Sequence, residues 1–519
     1  MNKANFDFYS DFDFKGRRIS VIGAARSGMD AAEVLRRLGA LVLLSDSQSA
    51  AQIGPQRLTH LHTLDVNFIL GATVEMALPS GTQLVVTSPG VPRTAPVLQA
   101  AVAQGIPVWS EIELAYRLTK APLIAITGTN GKTTTTLLIA HILRHAGRNA
   151  IVAGNISADE IKRTLINAAW ETRQEADYSC ESPPIIVAEI SSFQLEWVDK
   201  FAPHIAILTN VTPDHLNRYD DFEDYAQTKA RLFAAQTSED WAIVNYGNPT
   251  SQRIGKALQQ EVAPQRDTPQ RVWFTSSQAG FETEMQSDAQ SDAASGIVSD
   301  FNALPVRQGG VGWIEEGIVN IHLASGCAAA IMRTSDLPPT LPGTHSIENV
   351  LAASIAALAL NITPDIISAA IHSFPGVPHR LEWVHDLNGA RYINNSMCTN
   401  VEAAISSLQA MDRPTIAIMG GADKQLDYAP LVPALHAKVR HAILIGQVAD
   451  KMEAVFRSGG YVHISRAHSL EDAVAQARQI AKENETVLLV PACASFDMFR
   501  DFEARGVAFR EAVHALATP

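Results

Sequence analysis

The stretch LIAITGTNGKTTTTLLIAHIL, residues 123–143, carries the residue types best suited to chemistry. An apolar run ends in a glycine-rich turn with one lysine, and four threonines lead into an amphipathic run. Backbone N–H groups of such a turn, at the start of a helix, bind phosphate, while a lysine and a hydroxyl serve the phosphates and Mg²⁺. We therefore predict a nucleotide phosphate site made of Gly128, Thr129, Asn130, Gly131, Lys132, Thr133 and Thr134.

The match to the P-loop pattern G-x-x-x-x-G-K-[ST] is one glycine short, because Ile126 occupies the first glycine position. The order of apolar run, turn and amphipathic run is nevertheless the one that a P-loop requires. An ordinary glycine turn, which is the alternative interpretation, leaves Lys132 without a role.

Two later apolar runs end in polar residues that suit the same chemistry. IIVAEISSFQ places Glu189 at a strand end, and HIAILTNVTPDH ends in Asp214 and His215. The carboxyl ends of parallel strands meet at one edge of a sheet, where α/β proteins bind ligands. A carboxylate there can hold the Mg²⁺ of a bound nucleotide, so we predict Glu189 as a metal ligand and His215 as a site residue. An exposed strand-end acid and a structural histidine are the alternatives.

A second glycine-containing turn, GAARSG at residues 23–28, follows the apolar run RISVI. It lacks the middle glycine of the dinucleotide pattern G-x-G-x-x-G, because Ala25 stands there, and Asp46 ends the next apolar run. A dinucleotide site and a shallower site for a single nucleotide-sugar diphosphate are both compatible with these residues.

Strand-like and helical patterns alternate along almost all of the 519 residues, which predicts an α/β fold with largely parallel sheets. We predict three domains. These are a Rossmann-like N-terminal domain at 1–116, a central P-loop mononucleotide-binding domain at 117–375 and a Rossmann-like C-terminal domain at 376–519. The Ser-, Ala-, Gln- and Asp-rich stretch 276–300 predicts a flexible surface insertion in the central domain.

The composition excludes several classes of protein. A chain that is 46% hydrophobic and 18% charged is not globally disordered, and a net charge of −13 argues against a broad nucleic-acid surface. Four cysteines without C-x-x-C spacing predict neither a disulfide framework nor a zinc site. No secretory signal is visible, and the apolar run Val350–Leu360 is too short to span a bilayer. We expect a cytoplasmic protein that binds no membrane.

Six motifs, spaced in order along nearly the whole chain, are similar to those of the Mur ligases of peptidoglycan synthesis. They are TGTNGKTT, EISSFQLE, TNVTPDHLNRY, PGTHSIENVLAA, GVPHRLE and PACASFDMFRDFEARG. The resemblance implies a UDP-sugar-binding N-terminal domain, a central ATPase domain and a C-terminal domain that brings the amino acid. It also implies a monomeric, ADP-forming ligase that joins D-glutamate to UDP-N-acetylmuramoyl-L-alanine. The residues themselves do not distinguish the enantiomers of glutamate.

The implied reaction runs through an acyl phosphate. A carboxylate is a poor acyl donor, so ATP first phosphorylates it, and the amine of glutamate then displaces phosphate. ATP and the carboxylate are both anions, so their approach requires Mg²⁺ and lysines to offset the repulsion.

The resemblance assigns the ATP side of the site residue by residue. It implies ATP and two Mg²⁺ ions as cofactors, and a carbamate on Lys229, a position that otherwise reads as an ordinary surface lysine on a helix. Asn349 and Arg380 are implied to contact the nucleotide. The implied catalytic and metal-binding residues are Lys132, Thr133, Glu189, His215 and Lys229.

The resemblance likewise assigns the two substrates. Ser27, Ser47 and Gly90 are implied to grip the UDP moiety, and Asn155 the muramoyl part. The implied contacts of the amino acid are Thr399 and Lys424 to the α-carboxylate, and Ser495 and the backbone of Phe502 to the side-chain carboxylate.

One stretch departs from the family. YINNSMCTN, residues 392–400, aligns with N-D-S-K-A-T-N, so that Asn395 replaces aspartate, Met397 replaces lysine and Cys398 replaces alanine. The lost aspartate and lysine carry opposite charges, so the local balance is kept. A lineage variant with both charges exchanged as a pair, and a paralogue with altered nucleotide or amino-acid use, are the two interpretations.

Three other functions are alternatives to a Mur ligase, and each is disfavoured by one feature of the sequence. A folylpolyglutamate-synthase-like ligase would not need the first block. A P-loop kinase or motor would not need PACASFDMF or a third α/β domain. A non-catalytic binding protein would have no use for the set of Lys132, Glu189, His215 and Lys229.

Overall fold

The computed structural model describes residues 13–156, 163–174, 183–215, 218–260, 268–276, 310–324, 326–341 and 343–517. The predicted insertion at 276–300 lies outside the described residues except for Ser276. The chain divides into two compact units. The first runs to His372, and the second takes in the described residues of 337–343 and everything from Ser373 onward.

The first unit opens with a five-stranded parallel sheet whose order is β3-β2-β1-β4-β5. The short apolar strands alternate with helices that cover them, which is the pattern that produces parallel sheets. The order reverses between β1 and β4, so the turns after these strands lie at the switch point where such sheets bind ligands. The strands are Arg18–Ile22 (β1), Leu41–Asp46 (β2), Asn67–Leu70 (β3), Leu84–Thr87 (β4) and Val108–Ser110 (β5).

The helices of this part include the amphipathic α1, whose buried face packs on the sheet with Ala31, Val34 and Leu35. They are Arg26–Arg37 (α1), Ala50–Ile53 (α2), Pro55–Thr63 (α3), Val74–Ala77 (α4), Pro96–Ala103 (α5) and Glu111–Leu118 (α6).

The same unit contains a nine-stranded sheet in the order β14-β13-β12-β11-β10-β9-β6-β8-β7. Strands β6 to β12 pair in parallel, and β13 and β14 extend the sheet in antiparallel fashion. The strands are Leu123–Thr127 (β6), Ala150–Gly154 (β7), Ile185–Glu189 (β8), Ile205–Leu208 (β9), Trp241–Asn245 (β10), Gln270–Phe274 (β11), Gly310–Glu315 (β12), Ile318–Leu323 (β13) and Ala328–Arg333 (β14).

Helices on this sheet supply the second layer. The stretch from Val350 to Leu358 is buried inside the layer of helices. The helices are Lys132–His145 (α7), Leu165–Gln174 (α8), Ser192–Leu195 (α9), Phe222–Ala230 (α10), Pro249–Gln260 (α11), Thr344–Ala359 (α12) and Pro364–His372 (α13). Within the described part of the chain, no helix is long and apolar enough to cross a membrane.

The second unit is built on a six-stranded sheet in the order β15-β16-β20-β17-β18-β19, parallel except for the β15–β16 pair. Its strands are Glu382–Leu387 (β15), Ala390–Asn394 (β16), Thr415–Gly420 (β17), Val439–Ile445 (β18), Ile464–Arg466 (β19) and Thr486–Leu489 (β20). Its helices are Val401–Gln409 (α14), Val432–Lys438 (α15), Ala449–Ser458 (α16), Leu470–Ile480 (α17) and Phe502–Ala517 (α18).

The predicted α/β class with largely parallel sheets is therefore confirmed. The antiparallel strands β13 and β14, and the β15–β16 pair, were not predicted from the sequence. The domain boundaries at 116/117 and 375/376 remain predictions.

Candidate active site

The glycine-rich loop between β6 and α7 is shaped by two glycines with positive φ, +149° at Gly128 and +83° at Gly131. A Cβ atom on Gly128 would overlap the Thr209 hydroxyl, and one on Gly131 would lie 2.5 Å from Asn349 Oδ1. Ile126 is a buried residue inside β6. The glycine missing from the sequence pattern is thus not needed, since the chain turns two residues later.

The end of the neighbouring strand β9 braces this loop. The amides of Thr129 and Asn130 donate to the backbone oxygen and to Oδ1 of Asn210, at 2.9 Å each. The Thr209 hydroxyl donates to the Asn130 carbonyl at 2.6 Å. Among the described residues, no side chain caps the first turn of α7. The positive end of this helix therefore faces the loop, as an anion-binding turn requires.

Two lysines converge on one carbonyl of the loop. Lys132 Nζ donates to the oxygens of Gly128 and Thr129 at 2.9 and 3.0 Å, and Lys229 Nζ donates to Gly128 at 2.9 Å. Lys229 is only 2% exposed, and its Nζ lies 4.8 Å from the centroid of the Tyr225 ring. Burial, and then the charge of Lys132, hold the pKa of Lys229 well below its ordinary value. The surface-lysine interpretation of Lys229 is therefore wrong.

Glu189 ends β8 and is 4% exposed. Its Oε2 accepts a hydrogen bond of 2.7 Å from the Thr133 hydroxyl, and its Oε1 accepts one of 3.5 Å from Asn155 Nδ2. The structure thus brings together a carboxylate, a hydroxyl and an amide from three parts of the sequence. The exposed-acid interpretation of Glu189 is wrong as well.

The donors at this point fit Mg²⁺. This ion prefers oxygen ligands and is usually held by one or two protein oxygens together with substrate phosphates. Thr133 and Glu189 supply two such oxygens. Within the described residues there is no group of three or more His, Cys, Asp or Glu side chains able to hold a metal by themselves. The pair suits a metal that arrives with a nucleotide.

His215 lies after β9 with a positive φ of 54° and is half exposed. Its Nε2 is 3.6 Å from Asp214 Oδ2, and its ring centroid is 4.9 Å from that of Phe193 and 6.5 Å from that of Tyr225. Tyr225 is also the ring next to Lys229. His215 and Lys229 therefore share a neighbour, while a role of His215 in metal binding remains a prediction.

Asn349, on the buried helix α12, supports the loop from behind. It is 5% exposed, and its Oδ1 accepts from the Thr135 hydroxyl at 3.2 Å in addition to lying beside Gly131. Its predicted contact with the nucleotide remains a prediction.

The residues predicted to hold the UDP moiety follow the carboxyl ends of three strands of the first sheet. Ser27 is in the first turn of α1, Ser47 follows β2 and Gly90 follows β4. Asp46 accepts from the amide of Ala24 at 2.7 Å and from that of Gln48 at 2.8 Å. These contacts make Asp46 a brace of the turn.

Arg218 joins the loop after β4 to the second sheet, and it was not predicted from the sequence. Its guanidinium donates to the carbonyls of Pro89 at 3.0 Å and Val91 at 2.9 Å, and to both oxygens of Glu196 at 2.8 and 2.9 Å. It also stacks on Phe193, 4.4 Å from the ring centroid. Its place inside the motif TNVTPDHLNRY was the signal that could have identified it.

Glu113 makes a second junction between the two sheets of the first unit. Its side chain is fully buried, and it accepts from the amides of Asp199 at 2.9 Å and Lys200 at 3.1 Å and from Arg117 Nε at 2.6 Å. The amide of Ser110 donates to the Trp197 carbonyl at 2.8 Å nearby. The turns that are predicted to bind the UDP moiety and the phosphate loop therefore belong to one connected structure.

In the second unit, the structure brings two of the predicted amino-acid contacts together. Lys424 Nζ donates to the Thr399 carbonyl at 3.4 Å. Ser495 is 2% exposed, and its carbonyl accepts from the amides of Met498 and Phe499. Phe502 begins α18. Arg380, predicted for the nucleotide, is half-buried in this unit.

The departing stretch is well fitted to its surroundings. Asn395 is 4% exposed, its Oδ1 accepts from the Leu381 amide at 3.2 Å, and its Nδ2 donates to the Ser407 hydroxyl at 2.8 Å. That hydroxyl already donates to the Ala403 carbonyl at 2.6 Å. An aspartate would accept from Leu381 but could not donate to Ser407, so the amide suits this environment.

Three family models match the chain. The model of the Mur ligase MurD-like N-terminal domain matches residues 17–110, that of the Mur ligase middle domain residues 126–298, and that of the Mur ligase glutamate ligase domain residues 379–493.

Curated relatives match over nearly the whole length. The UDP-N-acetylmuramoylalanine--D-glutamate ligase of Alkaliphilus metalliredigens is 34% identical, over 97% of this chain and 99% of its own. The ligase of the same name from Syntrophotalea carbinolica is 38% identical over the same shares of both chains.

Solved structures share the fold. The UDP-N-acetylmuramate-alanine ligase of Thermotoga maritima has a TM-score of 0.50 at 15% identity, over 96% of this chain and 99% of its own. A UDP-N-acetylmuramoyl-L-alanyl-D-glutamate--2,6-diaminopimelate ligase has a TM-score of 0.52 at 17% identity, over 85% and 94%.

Proposed function

Because the chain belongs to the Mur ligase family, we propose that it is the ATP-dependent ligase that adds D-glutamate to UDP-N-acetylmuramoyl-L-alanine in peptidoglycan precursor synthesis. The observation that carries the proposal is the likeness, over nearly the whole chain, to relatives named for that reaction. The cluster of Lys132, Thr133, Glu189 and Lys229 at the phosphate loop supports it.

In the first step, a carboxylate oxygen of the UDP-muramoyl substrate attacks the γ-phosphorus of ATP. A new O–P bond forms, the bond to ADP breaks, and an acyl phosphate and ADP result. The start of α7 and the ammonium group of Lys132 offset the charge of the phosphates. His215 and Asn155 are the residues that we assign to the side of the muramoyl carboxylate.

Mg²⁺ would be held by Thr133 and Glu189, and it supplies positive charge that lets two anions approach. We assign a second ion to the side of His215 and Lys229. The lowered pKa of Lys229 favours its neutral amine, which is the form that adds CO₂ to give a carbamate and a released proton. The resulting anion would orient that ion.

In the second step, the amine of glutamate attacks the acyl carbon. The C–N bond forms, the C–O bond to phosphate breaks, and the ammonium proton is released. We assign Thr399 and Lys424 to the α-carboxylate of glutamate, and Ser495 and the Phe502 backbone to its side-chain carboxylate. Arg380 and Asn349 are assigned to the nucleotide.

The environment of Asn395 supports a lineage variant rather than a paralogue with altered use of nucleotide. The amide of Asn395, which stands in place of the family's aspartate, is hydrogen-bonded to both Leu381 and Ser407. The exchange therefore leaves neither its Oδ1 nor its Nδ2 unpaired. We therefore propose that ATP use is retained. On the resemblance to the family and the composition of the chain, we also propose that the enzyme is a monomer and that it works in the cytoplasm.

The test is a ligation assay with purified protein, ATP, Mg²⁺ and UDP-N-acetylmuramoyl-L-alanine, with each enantiomer of glutamate in turn. We expect ADP and phosphate to appear only when both substrates are present, and the product mass to show one added glutamate when the D-enantiomer is supplied. Absence of phosphate release with D-glutamate, L-glutamate and every proteinogenic amino acid would overturn the proposal. Release with folate in place of the UDP substrate would replace it.

A further inference from the structure

We propose that Arg505 is a positioning residue for the amino-acid site, holding in register the segments that carry three of the four predicted glutamate contacts, Thr399, Ser495 and Phe502. The proposal rests on the proposed function for the identity of the amino acid. Arg505 is in the first turn of α18, and its side chain is 1% exposed. In the sequence it lies inside the motif PACASFDMFRDFEARG, near its end.

The guanidinium of Arg505 uses all three of its nitrogens. Nε donates to the Ser396 hydroxyl at 3.0 Å, and Nη2 donates to the Ser396 carbonyl at 2.8 Å. Nη1 donates to the carbonyls of Cys493 and Ala494 at 3.2 and 3.3 Å. The Ser396 hydroxyl in turn donates to the Phe502 carbonyl at 2.7 Å. One side chain thus fastens three separate segments.

Each fastened point is next to a predicted contact of glutamate. Ser396 is followed closely by Thr399, Ala494 is followed directly by Ser495, and Phe502 is itself one of the predicted contacts. A shift of any of these segments by an ångström would misplace a ligand of one of the two carboxylates. Precise placement of this kind is what substrate-positioning groups provide, and its loss is costly.

The charge of Arg505 adds to this role. Within the described residues, no carboxylate makes a hydrogen bond or ion pair with it, and Asp497 is a carboxylate that acts on its charge from a longer distance. Burial lowers the pKa of its guanidinium to about 10, which leaves it protonated at neutral pH. A buried positive charge that is hydrogen-bonded to neutral oxygens favours an anion nearby. We infer that it favours an acceptor amino acid with a second carboxylate over one with a neutral side chain.

Arginine is needed for this arrangement because of its shape. Its planar guanidinium presents five N–H donors in a fixed fork, whereas an ammonium group has three donors at one point. A lysine at this position keeps the charge but cannot reach Ser396 and the Cys493–Ala494 carbonyls together. The variant Arg505→Lys therefore separates geometry from charge, and Arg505→Gln removes both.

The test is steady-state kinetics of the ligation with each substrate varied in turn. For Arg505→Lys we expect the KM for D-glutamate to rise about 10- to 100-fold, with the KM values for ATP and the UDP substrate within twofold of wild type. For Arg505→Gln we expect at least the same rise, together with a smaller preference for glutamate over glutamine. Arg478→Lys is the matched control, because Arg478 is exposed and donates to the Leu516 carbonyl; it should leave all three KM values unchanged.

A second variant guards against misfolding. Ser396→Ala removes the hydroxyl that links Arg505 to Phe502 without removing charge or volume from the core. We expect it to unfold cooperatively at a somewhat lower temperature than wild type, because the buried Nε of Arg505 loses its acceptor, and to raise the KM for D-glutamate about fivefold. Unchanged KM values for glutamate in both Arg505→Lys and Ser396→Ala would overturn the inference. A wild-type protein that ligates no glutamate would instead overturn the proposed function.

Discussion

The two glycine-rich turns of the first unit occupy equivalent places between a strand and a helix, yet side chains of opposite charge hydrogen-bond to them. Each joins a buried central strand to a helix whose first turn no described side chain caps. At residues 23–28, the carboxylate of Asp46 accepts from the amide of Ala24. At residues 128–132, the ammonium group of Lys132 and the amine nitrogen of Lys229 donate to the carbonyl of Gly128.

This difference shows that a glycine-rich turn does not determine its own chemistry. At the first turn, a carboxylate accepts from a loop amide, and Arg26 is the cationic side chain of the turn itself. At the second turn, the ammonium group of Lys132 is held on loop carbonyls, where it can meet an incoming polyanion, and Glu189 beside Thr133 adds metal-binding oxygens. We therefore propose that the groups contributed by neighbouring strands and helices make the second turn the place of reaction.

The largest expected effect comes from removing the cation of the second turn. We expect Lys132→Met to lower kcat for ligation by at least about 100-fold, because a charge that offsets the transferring phosphoryl group is lost. Phosphate release under saturating substrates measures it. Lys120→Met, at an exposed site just before β6, is the control and should keep full activity. Retention of more than a tenth of the activity by Lys132→Met would show that the two turns do not differ in this way.

The buried Lys229 gives an effect on stability with a defined pH dependence. Since the folded pKa of Lys229 is lowered, the unfolded state binds more protons between that pKa and about 10.4, the ordinary value for lysine, so this residue's contribution to stability rises with pH. We expect the free energy of unfolding of wild type to gain on that of Lys229→Met, by up to about 1.4 kcal/mol per pH unit, from pH 7 to pH 9.5. Urea unfolding in CO₂-depleted buffer measures it. Parallel pH curves would contradict the expectation.

A smaller effect is expected from the brace of the first turn. In Asp46→Asn, one of the two amides now bound to the carboxylate would face an NH₂ group, so we expect a loss of about 1–2 kcal/mol of stability and a severalfold higher KM for the UDP substrate. Asp65→Asn, at an exposed ion pair with Arg36, is the control and should change stability by less than about 1 kcal/mol. A change in kcat without a change in this KM would place Asp46 in the reaction instead.

The smallest effect should come from Ser27→Ala. Removing one hydroxyl from a binding turn should raise the KM for the UDP substrate about 2- to 10-fold and leave kcat unchanged, because such a contact is equally strong before and during the reaction. The same kinetic assay measures it. If kcat falls in proportion instead, the first turn takes part in the transition state and the contrast between the turns disappears.

Local patterns were enough to predict the parts of this site that are local. Strands β1, β2 and β6, the phosphate loop and Glu189 all follow from apolar runs that end in turns or polar residues. The need for glycine at positions 128 and 131, and not at position 126, was not predictable in the same way. It depends on how closely Thr209 and Asn349 approach the loop.

The rest depends on packing between distant parts of the chain. Arg218 meets Pro89, and Arg505 meets Ser396 across 109 positions. No spacing rule reports such pairs. The same limitation applies to Lys229, whose helix pattern alone predicts an exposed residue while the fold buries it against Gly128.

The junctions made by Arg218 and Glu113 give the first unit a property beyond affinity. They fix the span between the turns that we assign to the uridine diphosphate and the loop that we assign to the ATP phosphates. A substrate anchored at one end must then present its carboxylate at a set distance from the other. We therefore expect the first unit to select its substrate by length as well as by chemical group.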